Sequence, residues 1–352
     1  MTNSGVNAVT RFAKIVCRKS FLAAAAVLAF CSFALPLSVG AQQGRDSGKP
    51  PVVKGTSVVL LGTAAGPIIK RYRSQPASLL IVNGARYLID CGEGTLSQLA
   101  HLDLQAADIN RVFLTHMHFD HTADLGSLLA FNWISPKAQP VQVYGPPGTQ
   151  KYVEASVEAF KVARDLFREF VPDRMDDDKI ASAIARPISG PTVIYQDTNV
   201  KVTAIANSHY DAIKPSFKSY GAPQSYSYRF ETTDRVIVFS GDTGPSQALV
   251  ELAKGADILV AETIDPVVIA AVAESSAGYS KERREGVITH YTRQHLVPEE
   301  VGKLAAEAKV GMVVLNHLAF SQDKEGGAHN FLAGVRSTYS GPVIVGHDFD
   351  QF

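Results

Sequence analysis

The stretch FLTHMHFDHTAD, residues 113–124, decides how this chain is read. It sets His116, His118 and His121 beside Asp120 and Asp124 at the end of an apolar run. Imidazoles add little as packing, and ionisable groups crowded together are costly unless something compensates them. A bound cation is the first candidate.

Working outward, the same signature recurs. His209 ends the apolar stretch VKVTAIANSH, Asp242 ends RVIVFSGD and His317 ends GMVVLNH. Each sits at the C-terminal mouth of a predicted strand, so a shared sheet rim would gather all of them with Asp120. His116 and His118 are two apart on extended chain and point the same way, which suits one metal. Asp120 and His121 at the following turn address a second, and Asp242 can bridge both. Seven His and Asp ligands suit two divalent cations, zinc first, with iron or manganese as alternatives. Such cations lower the pKa of a shared water and supply hydroxide near neutral pH.

The flanking sequence predicts mixed α/β structure. Strands are expected over TSVVLLGTA (56–64), and over two segments of SLLIVNGARYLIDCG (78–92) joined by an Asn83-Gly84 turn. More are expected over 109–116, 140–148, 192–197, 200–208, 225–232, 235–242, 256–263, 311–320 and 341–349. Helical spacing marks 95–104, 149–170 and 298–310, the last with Pro298 at its start. DRMDDDK (173–179) reads as a solvated charged loop. Strands and helices mixed in this order predict layers of helices over sheets.

His-x-His-x-Asp-His resembles the signature of the metallo-β-lactamase superfamily. The openings VVLLGTAAGP and LIDCGEGTLSQL, with VYGPPG, SGDTG and THYT, are similar to its ribonuclease Z-like branch. The resemblance implies a four-layer αβ/βα sandwich over residues 54–352, with His116, His118, His209 and Asp242 on one metal. Asp120, His121, Asp242 and His317 would hold the other. It also implies that His290, in ITHYT, is a non-ligand catalytic histidine oriented by Glu262, although Ala261 stands where the branch usually has a histidine. His101, His295 and His329 read as exposed, and His347-Asp348 stays open.

The chemistry implied is metal-dependent ester hydrolysis, with Asp120 in the catalytic set. Arylsulfatase-like members of the branch make a small anionic ester the first expectation, a sulfate ester or phosphodiester gripped by loop residues Lys281, Arg283, Arg284 and Arg293. Ribonuclease Z-type phosphodiester or RNA cleavage is the alternative, followed by a lactonase and by an inactive metal-binding module. Nucleic acid is not expected as a partner, because a Gly/Lys-rich arm is missing between GPPG and His209 and because the chain reads as exported. A homodimer is compatible with the branch.

Totals bound the rest. Lys+Arg and Asp+Glu both number 34 in 352 residues, so no global basic field gathers nucleic acid. Arg11, Lys14, Arg18 and Lys19 precede FLAAAAVLAFCSFALPLSVGA, the pattern of a signal peptide over 1–41 cleaved after Ala41. The apolar run before Pro36 is short for the roughly 20 residues of a bilayer span, so no stable span is expected after cleavage. RKSFL (18–22) is a weakened twin-arginine pattern. A linker follows over 42–53, and the destination is the periplasm or outside the cell. Cys91 alone would remain in the mature chain, so no intrachain disulfide is expected.

Overall fold

The computed structural model describes residues 54–170, 183–212, 219–275, 278–319 and 328–352. The expected signal peptide and linker, and the acidic stretch 173–179, lie outside them. No helix among the described residues is long and apolar enough to cross a membrane.

One sheet holds β1 Thr56–Gly62, β2 Ala77–Val82, β3 Ala85–Ile89, β4 Arg111–Phe113, β5 Gln142–Gly145 and β6 Ile184–Pro187, in that order. The second holds β7 Thr192–Gln196, β8 Lys201–Ala206, β9 Tyr226–Glu231, β10 Val236–Phe239, β11 Ile258–Ile264, β12 Met312–Ala319 and β13 Val343–Val345. Each sheet begins as an antiparallel meander and continues as parallel strands. The turn between β2 and β3 is Asn83-Gly84, with φ of 50° and 84°, the left-handed pair that a two-residue hairpin requires.

The helices are α1 Thr95–His101, α2 Phe119–Thr122, α3 Leu125–Ile134, α4 Thr149–Ala159, α5 Lys161–Arg168, α6 Gln247–Ala253, α7 Pro266–Ser275, α8 Lys281–Gln294, α9 Pro298–Ala308 and α10 Ala328–Arg336. Side chains alternate along each strand, so a strand covered on both faces needs apolar residues at every position. In β1, Val58 and Leu60 face the second sheet, while Val59 and Leu61 meet the layer of α1, α3 and α4. In β12, Val314 faces the first sheet, while Val313 and Leu315 meet α6, α9 and α10. The result is helices, sheet, sheet, helices. Each large side chain buried this way contributes about 1.5–3 kcal/mol.

The C-terminal residues close the open edge of β1. Val58 N–H donates to the Phe352 carbonyl at 3.0 Å, and Phe352 N–H returns to Val58 at 2.9 Å. That covers a row of backbone groups otherwise free to pair with another chain.

Three expectations change. The helix read over 149–170 is two helices meeting at Phe160, whose ψ of 4° breaks the ladder. β6 was not anticipated, because IARP is short, partly exposed and ends in proline. Lys281, Arg283, Arg284 and Arg293 lie on helix α8 rather than on a loop. Lys281 pairs with Glu285 at 3.7 Å, and Arg283 lies over the Tyr279 ring.

Candidate metal centre

β3, β4, β8 and β10 deliver their following residues to one rim, and β12 passes beside it. The two sheets touch there: Tyr226 N–H donates to the Thr115 carbonyl at 2.9 Å, and the Tyr228 hydroxyl to Leu114 at 2.5 Å. The chain after β4 carries His116 and His118, then turns into α2 with Asp120 and His121 buried. His209 follows β8, and Asp242 follows β10. His317 lies inside β12 rather than after it. There the register against β11 slips by one residue, and His317 takes φ 51°. A bulge of this kind re-aims one side chain at the cost of a strained backbone.

Candidate ligand atoms of His116, His118, His209 and Asp242 all lie within 4.8 Å of one another, as do those of Asp120, His121 and His317. Asp242 joins the groups: its carboxylate lies 3.6 Å from His116 Nε2, 3.3 Å from His121 Nε2 and 3.1 Å from His317 Nε2. His116 Nε2 and His118 Nδ1 approach to 2.9 Å, and His209 Nε2 is 3.4 Å from His118 Nδ1.

Backbone and side-chain partners fix the far nitrogens of two rings. His209 Nδ1–H donates to the Gln294 carbonyl at 2.8 Å, leaving Nε2 for the cluster. His121 Nδ1 donates to Asp90 at 2.8 Å, leaving Nε2 likewise. Asp90 also accepts from Thr115 N–H at 2.8 Å, and holds φ 58°. Such carboxylate–histidine contacts set the tautomer and raise ligand basicity. Sequence reasoning passed over Asp90, although it ends an apolar strand just as Asp242 does.

Burial, reinforced by neighbouring histidines, holds the His116 imidazole well below its usual range. Burial likewise lowers His118 to about 4 and His209 to about 3. These rings are therefore neutral, the form that binds metal. Burial opposes charge on His121 and His317 too, but Asp242 and Asp120, with Asp90 at His121, outweigh it. His121 is raised and His317 reaches about 10. Burial would also raise Asp120 and Asp242, yet the surrounding histidines bring both down. The protons on His121 and His317 are those a divalent cation would displace. His121 Nε2, both nitrogens of His317 and Asp242 Oδ1 are buried without a hydrogen bond. Buried groups of that kind need a partner, and the donor set fits divalent cations.

His295 corrects the sequence reading. Expected to be exposed, it is 2% exposed, with Nδ1 3.1 Å from Glu262 Oε2. Glu262 is fully occupied there, accepting also from Thr243 N–H at 2.9 Å and Leu296 N–H at 3.2 Å. It orients His295, not His290. Burial raises its pKa. His295 Nε2 is buried without a hydrogen bond, and its carboxylate neighbours include Asp242 at 3.9 Å from Nδ1. His290 sits on α8, half-buried, with Nδ1 2.9 Å from Gln294 Oε1 and its ring 5.9 Å from those of His118 and His209. Both histidines line a cavity of about 150 Å³ with His118, Asp120, Asp242 and His317. His101 and His329 are exposed as expected. Asp348 is structural, accepting from Thr63, Ser74 and Gln98.

The fold and the donor set find their match in known proteins. A profile of the Beta-lactamase superfamily domain fits residues 85–318. The chain belongs to the beta-lactamase superfamily. Among curated relatives, the Ribonuclease Z of Mycolicibacterium paratuberculosis is 30% identical over 301 residues, covering 84% of this chain and 96% of that one. The Ribonuclease Z of Mycobacterium marinum is 31% identical over 310 residues, covering 84% and 97%. The placement is thus in the ribonuclease Z-like branch of the superfamily, and the protein is a metal-dependent hydrolase. Solved structures share the fold. The metallo-beta-lactamase fold protein YhfI from Bacillus subtilis aligns with TM-score 0.60 at 17% identity over 84% of this chain and 98% of its own. Human tRNase Z, short form, gives 0.57 at 21% over 84% and 98%. Zn(2+)-bound PqqB from Methylobacterium extorquens gives 0.56 at 18% over 84% and 99%. The relatives named as ribonucleases run against the expectation that nucleic acid is not a partner.

Proposed function

We propose that this superfamily member is a dimetal phosphodiesterase of the ribonuclease Z kind. The observation that carries the reading is the pair of ligand groups, His116, His118 and His209 on one side and Asp120, His121 and His317 on the other, joined through Asp242. The names of the curated relatives favour phosphorus over sulfur as the atom attacked. The sulfate-ester reading has the same donors behind it but no relative of that name among those above, and it ranks second.

Divalent cations at the two groups, zinc first, would supply Lewis-acid charge and an activated water. The chain's own residues do the rest. Asp120 Oδ2 accepts from Gly66 N–H at 2.9 Å, which fixes the carboxylate that takes the proton of the attacking water. His295, held by Glu262, gives a proton to the leaving oxygen. His290, also lining the cavity, gives its Nδ1–H to Gln294 Oε1, which leaves Nε2 as an acceptor facing the substrate.

The test measures hydrolysis of bis(4-nitrophenyl) phosphate, 4-nitrophenyl sulfate and a 3′-extended RNA, with and without chelator. Chelator-sensitive turnover of the diester or the RNA supports the reading. Turnover of the sulfate alone refutes it in favour of the second. Export remains a proposal resting on the leader at 1–41; N-terminal sequencing of the protein from cell fractions tests it, and an intact Met1 in the cytosol would sink it.

A further inference from the structure

A second, larger cleft opens on the His118 side of the metal centre. Its volume is about 730 Å³, within the range of small-molecule sites. It shares His118 and Phe119 with the smaller cavity over the ligand groups, so the two form one continuous surface. Phe119 sits between the ligand candidates His118 and Asp120 and is 81% exposed. A phenyl ring at that position gains nothing by burial in the fold, and it lines both cavities.

The walls are aromatic and fixed. Tyr210 meets His118 in a T-shaped contact, ring centroids 5.4 Å apart. The Tyr152 hydroxyl donates to the Thr122 carbonyl at 2.9 Å, tying α4 to α2. Gly221, at φ 96°, lets the chain bearing Tyr220 reach Pro147: a Cβ on it would lie 3.1 Å from the proline Cβ. Among the described lining residues Lys151 is the one Lys or Arg, and its Nζ lies 6.0 Å from the Tyr220 ring. A run of phosphates needs several cations along its path. This cleft offers rings instead.

We propose that the cleft seats a flat aromatic group on the part of the substrate that stays bonded to phosphorus. The inference rests on the phosphodiesterase reading. The leaving oxygen belongs near His295, on the Glu262 side, so the group across His118 from it is the one retained. The preferred substrates are then phosphodiesters whose retained alcohol is an aryl or nucleoside group, rather than a plain alkyl group.

The experiment compares phenyl 4-nitrophenyl phosphate with methyl 4-nitrophenyl phosphate. Both release nitrophenolate, so the leaving group is constant. The phenyl diester should show kcat/KM about tenfold or more above the methyl diester. Ala155→Trp, at an exposed helix position lining the cleft, should remove that preference and leave the methyl diester unchanged. Tyr220→Ala, half-exposed and so neutral for folding, should reduce it. Thymidine 5′-(4-nitrophenyl) phosphate separates the two sources of a flat ring. A rate matching the phenyl diester identifies nucleotides, whereas one matching the methyl diester identifies plain aryl groups. Equal rates for phenyl and methyl diesters, or a preference untouched by both variants, overturn the inference and leave the metal-centre reading standing. No turnover of any diester overturns that reading and this inference with it.

Discussion

Asp90→Asn isolates one proton. In the native site Asp90 accepts from Thr115 N–H at 2.8 Å and from His121 Nδ1–H at 2.8 Å. An amide has one acceptor where the carboxylate has two. If its oxygen stays on Thr115, its NH₂ faces His121 Nδ1 and drives the ring to the other tautomer. The proton then sits on Nε2, the nitrogen 3.3 Å from Asp242 Oδ1 and 3.6 Å from Asp120 Oδ2. If the amide flips, its NH₂ opposes Thr115 N–H instead. The flipped amide mispairs a buried donor, which costs the fold about 1–3 kcal/mol, whereas the tautomer switch keeps the donors paired and takes Nε2 from the metal instead. Losing the carboxylate behind a ligating histidine costs roughly 10–100-fold in metal affinity, or about 1.4–2.7 kcal/mol. The loss should fall on the Asp120–His121–His317 group and spare the other. Competition titration against a chromogenic chelator, with Tm measured alongside, reads both effects. Wild-type affinity at both sites, in a folded Asp90→Asn protein, would show that Asp90 does not set the His121 tautomer.

Other outcomes follow from the same geometry. His295→Asn should leave metal content unchanged and slow esters of poor leaving groups by about 10²–10⁴-fold, with far less effect on nitrophenyl esters; loss of metal would make His295 a ligand instead. Gly66→Ala should cut turnover by an order of magnitude or more, because a Cβ there lies 2.2 Å from Asp120 Cβ; a steady-state assay with near-normal kcat would contradict it. At the opposite end, Asp197 accepts from Tyr87 at 2.6 Å and Tyr195 at 2.8 Å. Burial would raise the Asp197 pKa, but the Tyr87 hydroxyl, backbone N–H groups and Tyr195 bring it below the usual carboxylate range. A lowered folded pKa stabilises above the unfolded value and is lost as pH falls through the folded one. The Tm gap between wild type and Asp197→Ala should therefore narrow on acidification; a constant gap down to strongly acidic pH refutes the linkage.

The gathering of the seven His and Asp residues was legible because each lies at or near the end of an apolar strand, and such ends share a rim. Both-face burial also made β1, β11 and β12 readable as near-continuous apolar runs. Other parts were not. His295 follows a helix in the polar run TRQHLVPEE, and its burial comes from Glu262 on β11 and from the rings of His209, Tyr291 and His317 packed around it. His290 is helical because α8 starts at Ser280, whose hydroxyl accepts from Arg283 N–H at 3.2 Å. Buried positions 125, 128, 129, 132 and 133 mark α3 at helical spacing, but Phe131, 61% exposed, blurs the stripe. The His317 bulge has no local signal, since it depends on register against β11.

The most direct test of the dimetal centre is the number of ions per chain, measured by plasma mass spectrometry after zinc loading and dialysis. The account predicts about two ions per chain, removed by chelator together with the hydrolytic activity and restored with it. Full activity on a chain holding no ion, or no retention of ions at all, would contradict it.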